Sequence, residues 1–212
     1  MLAGGQGSRL GGGDKSALIV GRRPLAASVV RAAGAAGARQ VIVVGPPRAW
    51  LGPAVRVVRE QPPGGGPVAA LRRGLAEVSA AWVAVLAADL PFLTEAHLAA
   101  LLAAGSGSSA AGGGSAAGER AAGAVLMDDS GRPQWLAGCW RAAALRAALG
   151  GYGGSSMRGL LGPMHPVLLP LMPRGGEPPP WLDCDTPEDL RRARAWCQPA
   201  ADWPGPEGEV PR

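Results

Sequence analysis

Val41-Ile42-Val43-Val44, stopped by Gly45-Pro46-Pro47, is an unbroken apolar run closed by turn residues. A strand buried on both faces reads this way, and such strands belong to parallel sheets covered by helices. Upstream of it, Leu25, Val29, Val30 and Ala33 recur at helical spacing, with Pro24 at the first turn and Gly37 at the close. Downstream, Val55-Arg56-Val57-Val58 reads as a shorter parallel partner. Strand and helix alternate in this way through the chain, which predicts an α/β fold: a Rossmann-like, mostly parallel sheet with helices on both faces. The 212 residues, 47% of them hydrophobic, are ample for one such domain and too few for two.

The same alternation continues. A helix is expected from Val68 to about Ser79, and a strand from Trp82 that ends in Asp89-Leu90-Pro91. Thr94 caps a helix to about Leu102, Ala124-Val125-Leu126-Met127 returns to the sheet, and Asp128-Asp129-Ser130-Gly131 is a turn. Arg132–Trp140 reads as a strand entering a helix that ends near Gly150. Thr186 ahead of Pro187-Glu188-Asp189 starts a last helix that ends near Cys197. Residues 103–123, nearly all Ala, Gly and Ser, are too poor in large apolar side chains to hold a fold and are expected to form a flexible insertion. Residues 1–197 are thus read as one domain, with 198–212 a disordered tail.

The chain opens on Leu2-Ala3-Gly4-Gly5-Gln6-Gly7-Ser8-Arg9-Leu10-Gly11-Gly12-Gly13-Asp14-Lys15. Glycines let main-chain N–H groups approach an anion with no Cβ in the way, and successive N–H groups make a nest for phosphate oxygens. Arg9 and Lys15 bring full positive charge to the same stretch, the one as a two-donor grip and the other as a mobile point charge. Asp14 precedes the lysine and breaks the frame of a Walker loop, and no strand precedes the glycines as a dinucleotide fingerprint needs. Asp89 stands where a strand ends. Ligands collect beyond the carboxyl ends of parallel strands, and a carboxylate there suits Mg²⁺, which binds through one or two carboxylates plus substrate phosphates.

Bulk properties exclude several functions. The formal charge is +5, but the arginines are scattered, with no basic run or basic-aromatic stripe of a nucleic-acid surface. No apolar stretch reaches the ~18 residues of a membrane span, and no charged leader with an apolar run opens the chain. Cys139, Cys184 and Cys197 lack metal-ligand spacing and leave one over from any pair, as expected for reduced thiols in a cytoplasmic protein.

The opening stretch resembles, in order, the signature of the molybdenum cofactor guanylyltransferases: Leu-Ala-Gly-Gly, an arginine, Gly-Gly, then Asp-Lys. These enzymes belong to the nucleotide-diphospho-sugar transferase type of fold. Related cytidylyltransferases tend to read Ala-Ala-Gly where this chain has Ala3-Gly4-Gly5, and Pro-Lys where it has Asp14-Lys15. Asp89, Pro91 and Phe92 match the family's metal motif, and Asp183–Leu190 matches its Thr-Pro-Glu segment. The resemblance implies transfer of GMP from GTP to the phosphate of molybdopterin, with release of pyrophosphate and with Mg²⁺ as cofactor; molybdoenzymes or other cofactor-biosynthesis proteins would be partners. It implies that Leu2, Ala3, Gly4 and Gly5 hold base and ribose, Arg9 and Lys15 the phosphates, and Asp89 the metal. Asp185 is a candidate second metal or acceptor contact, and Arg158 a candidate acceptor contact. Close relatives read Glu-Asp-Pro where this chain reads Glu60-Gln61-Pro62, so an amide replaces the expected carboxylate and Glu60 is the candidate to stand in for it. The alternatives are a related transferase using CTP or another phosphorylated acceptor, and a non-catalytic nucleotide-binding protein. The family's loop leaves a central strand of several apolar residues, whereas only Met1 and Leu2 precede Ala3 here; an earlier start codon is the expectation.

Overall fold

The computed structural model describes residues 1–4, 13–107, 121–173 and 175–197. The strands, in chain order, are β1 Ile19–Val20, β2 Arg23–Pro24, β3 Val41–Val44, β4 Val55–Val58, β5 Trp82–Leu86, β6 Gly123–Met127, β7 Pro133–Arg141 and β8 Val167–Leu169. The helices are α1 Leu25–Ala35, α2 Gly66–Leu75, α3 Glu95–Ser106, α4 Ala142–Gly151, α5 Met157–Leu161 and α6 Pro187–Trp196. β1 and β2 form a small antiparallel hairpin across Gly21-Arg22.

β3 and β4 pair in parallel; β5, β7, β6 and β8 lie side by side in that order. Met1–Ala3 join the two groups. Leu2 N–H donates to Leu86 O at 2.8 Å and Ala3 N–H to Val44 O at 2.8 Å, while Val44 N–H donates to Met1 O and Ala88 N–H to Leu2 O. Leu2 is parallel to both neighbours. The whole order is therefore β4-β3-(1–3)-β5-β7-β6-β8, and among the described strands of this sheet only β7 runs against the rest. The short opening segment thus occupies the central position, bonded to the carboxyl ends of β3 and β5, with the Met1 ammonium donating to Ile42 O at 2.8 Å. On its amino side an apolar cavity of about 600 Å³ is bordered by Met1, Val41, Ile42, Trp82 and Ala84.

Residues alternating along the strands face opposite layers, as a period of two requires. Ala124 and Leu126 of β6 pack with Val29 and Ala32 of α1 and Leu98 and Leu101 of α3. Val125, between them, packs on the other side with Leu71 of α2, Leu145 of α4 and Leu160 of α5. Helices cover both faces, as the continuous apolar strands required. A third cluster, Val20, Leu25, Leu182, Cys184, Leu190 and Ala193, seats α6 on the hairpin and on the start of α1.

Boundaries move by a few residues for local reasons. α3 continues through Ala103–Ser106 and stops at Gly107, whose φ of 73° is the left-handed geometry of a glycine cap. Its start is fastened by Thr94 N–H donating to His97 Nδ1 at 3.1 Å. α2 starts two residues early, at Gly66, and closes at Leu75 rather than near Ser79. Of the low-complexity segment, residues 108–120 lie outside the described residues, as does the tail 198–212.

Candidate active site

A cleft of about 850 Å³ opens at the carboxyl ends of the parallel strands. Its walls include Leu2 and Ala3 of the opening segment with Gly4 after it, Glu60 and Gly64 after β4, Asp89 after β5, Lys15, and Asp185 ahead of α6. Gly66 and Pro67, the first residues of α2, also line it, so a ten-residue helix presents its positive end to the cleft.

At one side of the cleft the Lys15 ammonium donates to Asp89 Oδ2 and to Asp185 Oδ1. Lys15 and Asp89 are mostly buried, while Asp185 is half exposed. Burial alone pulls the Lys15 pKa down, but the Asp89 charge and the two carboxylate contacts outweigh it, and the net direction is upward. The lysine is a full cation at neutral pH. Asp89 Oδ1 is buried and has no hydrogen-bond partner among the described residues. Next door, Asp183 is pushed up to about 6, first by desolvation and then by repulsion from Asp185 and Asp89.

Lys15 is brought there by a short 3-10 helix, Lys15–Ala17. Asp14 opens it, accepting from Ser16 N–H at 3.1 Å and from the Ser16 hydroxyl at 2.7 Å. Asp185 precedes α6, whose first turn is locked by reciprocal contacts: Asp189 N–H donates to Thr186 Oγ1 at 3.1 Å, and Thr186 N–H donates to Asp189 Oδ2 at 2.9 Å. The Thr-Pro-Glu-Asp run therefore builds the helix start, which leaves Asp185 free to reach into the cleft.

Across the cleft Glu60 is 8% exposed. Its Oε1 accepts from Gly64 N–H at 3.1 Å, and its Oε2 is buried without a partner among the described residues. Gln61, one residue on, is exposed and does not line the cleft. The structure thus brings together Leu2, Ala3, Gly4, Lys15, Glu60, Asp89 and Asp185. Gln61 stays outside, and Gly5 and Arg9 lie outside the described residues. Trp140 is fully buried in the core, Trp135 is half-buried, and Arg158 is exposed on α5.

Sequence reasoning missed Arg48, whose guanidinium ties Asp14 to Ala3 and Pro46. The signal available was a cation just past Gly45-Pro46-Pro47, at the carboxyl end of a buried strand where ligand-facing groups gather.

Among the described residues no three His, Cys, Asp or Glu side chains converge closely enough to hold a metal ion by themselves. Two carboxylates and a mobile cation beside an open cleft suit an ion that arrives with substrate phosphates. A cleft at the carboxyl ends of parallel strands, lined by a lysine and several acids, is where α/β folds of this kind collect their ligands. The chain matches the model of the MobA-like NTP transferase domain over residues 1–167, and it belongs to that family of nucleotidyltransferases.

Solved structures share the fold. A nucleotidyl transferase from Methanothermobacter thermautotroptrophicus is 23% identical with a TM-score of 0.67, covering 92% of this chain and 94% of its own. Molybdopterin-guanine dinucleotide biosynthesis protein A from Archaeoglobus fulgidus is 20% identical with a TM-score of 0.68, covering 92% and 96%. The 2-C-methyl-D-erythritol 4-phosphate cytidylyltransferase from Thermus thermophilus is also 20% identical, with a TM-score of 0.63 and coverage of 92% and 97%. No curated protein matches the chain. No helix among the described residues is long and apolar enough to cross a membrane.

Proposed function

We propose that this transferase moves GMP from GTP to the phosphate of molybdopterin, releasing pyrophosphate and forming the guanine dinucleotide of the cofactor. The observation that carries the reading is the Lys15 ammonium set between Asp89 and Asp185, beside the backbone of Leu2–Gly4, at the strand ends. An acceptor phosphate oxygen attacks the α-phosphorus in line; the new P–O bond forms as the bond to the pyrophosphate oxygen breaks. Such transfers ask the protein mainly for positioning and for neutralisation of charge. Lys15 leaves its carboxylates to meet the phosphates, with Arg9 as a second cation. Asp89, with its unpartnered oxygen, and Asp185 would hold Mg²⁺, which would supply charge neutralisation for the phosphates.

The base is read by Leu2–Gly5 backbone groups and by Glu60. A carboxylate accepts only, so its unpartnered Oε2 suits a base edge that presents donors. Guanine offers a ring N–H and an amino group side by side, whereas cytosine offers its amino group alone; this favours GTP over CTP. The runner-up, a cytidylyl transfer, draws on the similar likeness to the Thermus cytidylyltransferase. Calorimetric titration with GTP, CTP and ATP in the presence of Mg²⁺ separates the two. GTP selectivity that is lost in Glu60→Ala supports the first, and a preference for CTP replaces it with the second.

A further inference from the structure

Arg48 follows the turn that ends β3, and its side chain is 5% exposed. All three guanidinium nitrogens are engaged. Nε donates to Asp14 Oδ2 at 2.5 Å and one terminal nitrogen to Asp14 Oδ1 at 2.9 Å, a two-point grip on the carboxylate. The same terminal nitrogen donates to Ala3 O at 3.0 Å, and the other donates to Pro46 O at 3.0 Å. Gly45 lets the chain come close here: a Cβ on it would stand 2.8 Å from Ala3 O. Ala3 is the last residue of the opening segment that the sheet holds, through its N–H to Val44 O. Asp14 is the cap that starts the short helix carrying Lys15.

A continuous mechanical path therefore runs from the end of β3, through the guanidinium, to Asp14, to the first turn of the short helix, and so to the Lys15 ammonium over the strand ends. The Arg48 contact also holds the Asp14 carboxyl below its usual pKa, so the pair stays charged through the neutral range. Lysine could not replace this grip, because a single ammonium cannot reach both carboxylate oxygens, Ala3 O and Pro46 O at once.

We propose that Arg48 is a positioning residue for nucleotidyl transfer: by fastening Asp14 to Ala3 and the end of β3, it fixes where Lys15 meets the nucleotide phosphates. This rests on the reading of Lys15 as the phosphate cation. The test is a double-variant cycle on the full chain, with the Kd for GTP and Mg²⁺ measured by calorimetry at a temperature where circular dichroism shows each variant folded. Arg48→Met should weaken binding about tenfold or more in the wild-type background, and by less than about twofold when Lys15→Met is already present, because coupled residues are not additive. A merely structural ion pair would lower the melting point yet leave the affinity of folded molecules unchanged. Wild-type affinity in Arg48→Met, or an equal loss in both backgrounds, would overturn the proposal alone. A wild type that binds no nucleotide would overturn the functional reading with it. If Arg48→Met does not fold, Arg48→Lys carries the same cycle, with a loss of about threefold or more expected in the wild-type background and none beyond it in the other.

Discussion

Replacing Lys15 by Met should make the nucleotide-free protein bind a divalent cation more tightly. The lysine is a tethered cation lodged between Asp89 and Asp185, so an incoming ion must displace it. Unit charges ~3 Å apart attract by about 5–6 kcal/mol at an effective dielectric constant near 20. Desolvation and the ordering of a long side chain offset most of that. The Asp185 contact, with that side chain 51% exposed, contributes roughly 0–1 kcal/mol after solvent screening. The Asp89 contact, at 19% and 16% exposure for the two side chains, contributes somewhat more. A net of about 1–3 kcal/mol converts to roughly a 5- to 150-fold tighter Kd for Mn²⁺ in Lys15→Met. Electron paramagnetic resonance of free Mn²⁺, titrated with protein at low ionic strength, reads this directly. Adding Asp89→Asn to the variant should abolish the gain. Equal or weaker Mn²⁺ binding by Lys15→Met would refute the view that the lysine stands in for the cation.

Three further outcomes follow from the structure. Gly138→Ala would place a Cβ 2.7 Å from Val125 Cγ1 and 2.8 Å from Ala124 O, inside the β6–β7 pairing, so overpacking should cost about 1–3 kcal/mol, seen as a melting point lower by roughly 2–10 °C. With a thiol reagent at pH 8, only the exposed Cys197 should react within minutes; Cys139 and Cys184 are buried, and burial pushes both thiols up to about 12, so they should react only on unfolding. Asp183, raised to about 6, binds more protons folded than unfolded between its ordinary value of 3.8 and that point, so its contribution to stability falls as pH rises through the window. Asp183→Asn should therefore stabilise the protein above pH 6, by about 1 kcal/mol or less because this exposed side chain is screened, and urea melts should show the gain vanishing near pH 4.

The layered sheet was legible because its strands are short apolar runs closed by turn residues, a pattern that a buried parallel sheet dictates. Val41–Val44 and Val55–Val58 form as read, and the strand from Trp82 forms but ends at Leu86, three residues before Asp89. The antiparallel placement of β7 between β5 and β6 was not legible, since strand order depends on packing between distant segments rather than on local pattern. Met1–Ala3 were the hardest to read. Three residues show no periodicity, and only the ladder groups of β3 and β5 reveal that they hold the centre of the sheet. At the site, Lys15 stood out as a full charge beside a glycine run and Asp89 as an acid at a strand end, while Asp185 was singled out through the family resemblance; the fold brings the three together. Gln61 was named because it stands where the family has an aspartate, with Glu60 as its stand-in; in the fold Glu60 is buried at the cleft and Gln61 is exposed. Arg48 was hidden for a different reason: its partners Ala3, Asp14 and Pro46 meet only after folding.

The most direct test of the central claim is a turnover measurement with GTP, Mg²⁺ and molybdopterin together, following pyrophosphate release and the mass of the product. The account predicts pyrophosphate and a guanine dinucleotide in equal amounts, dependent on both substrates and reduced at least about a hundredfold in Asp89→Ala, as expected for loss of a group that stabilises charge in the transition state. Product from CTP in preference to GTP, or no pyrophosphate from a folded protein that binds the nucleotide, would contradict it.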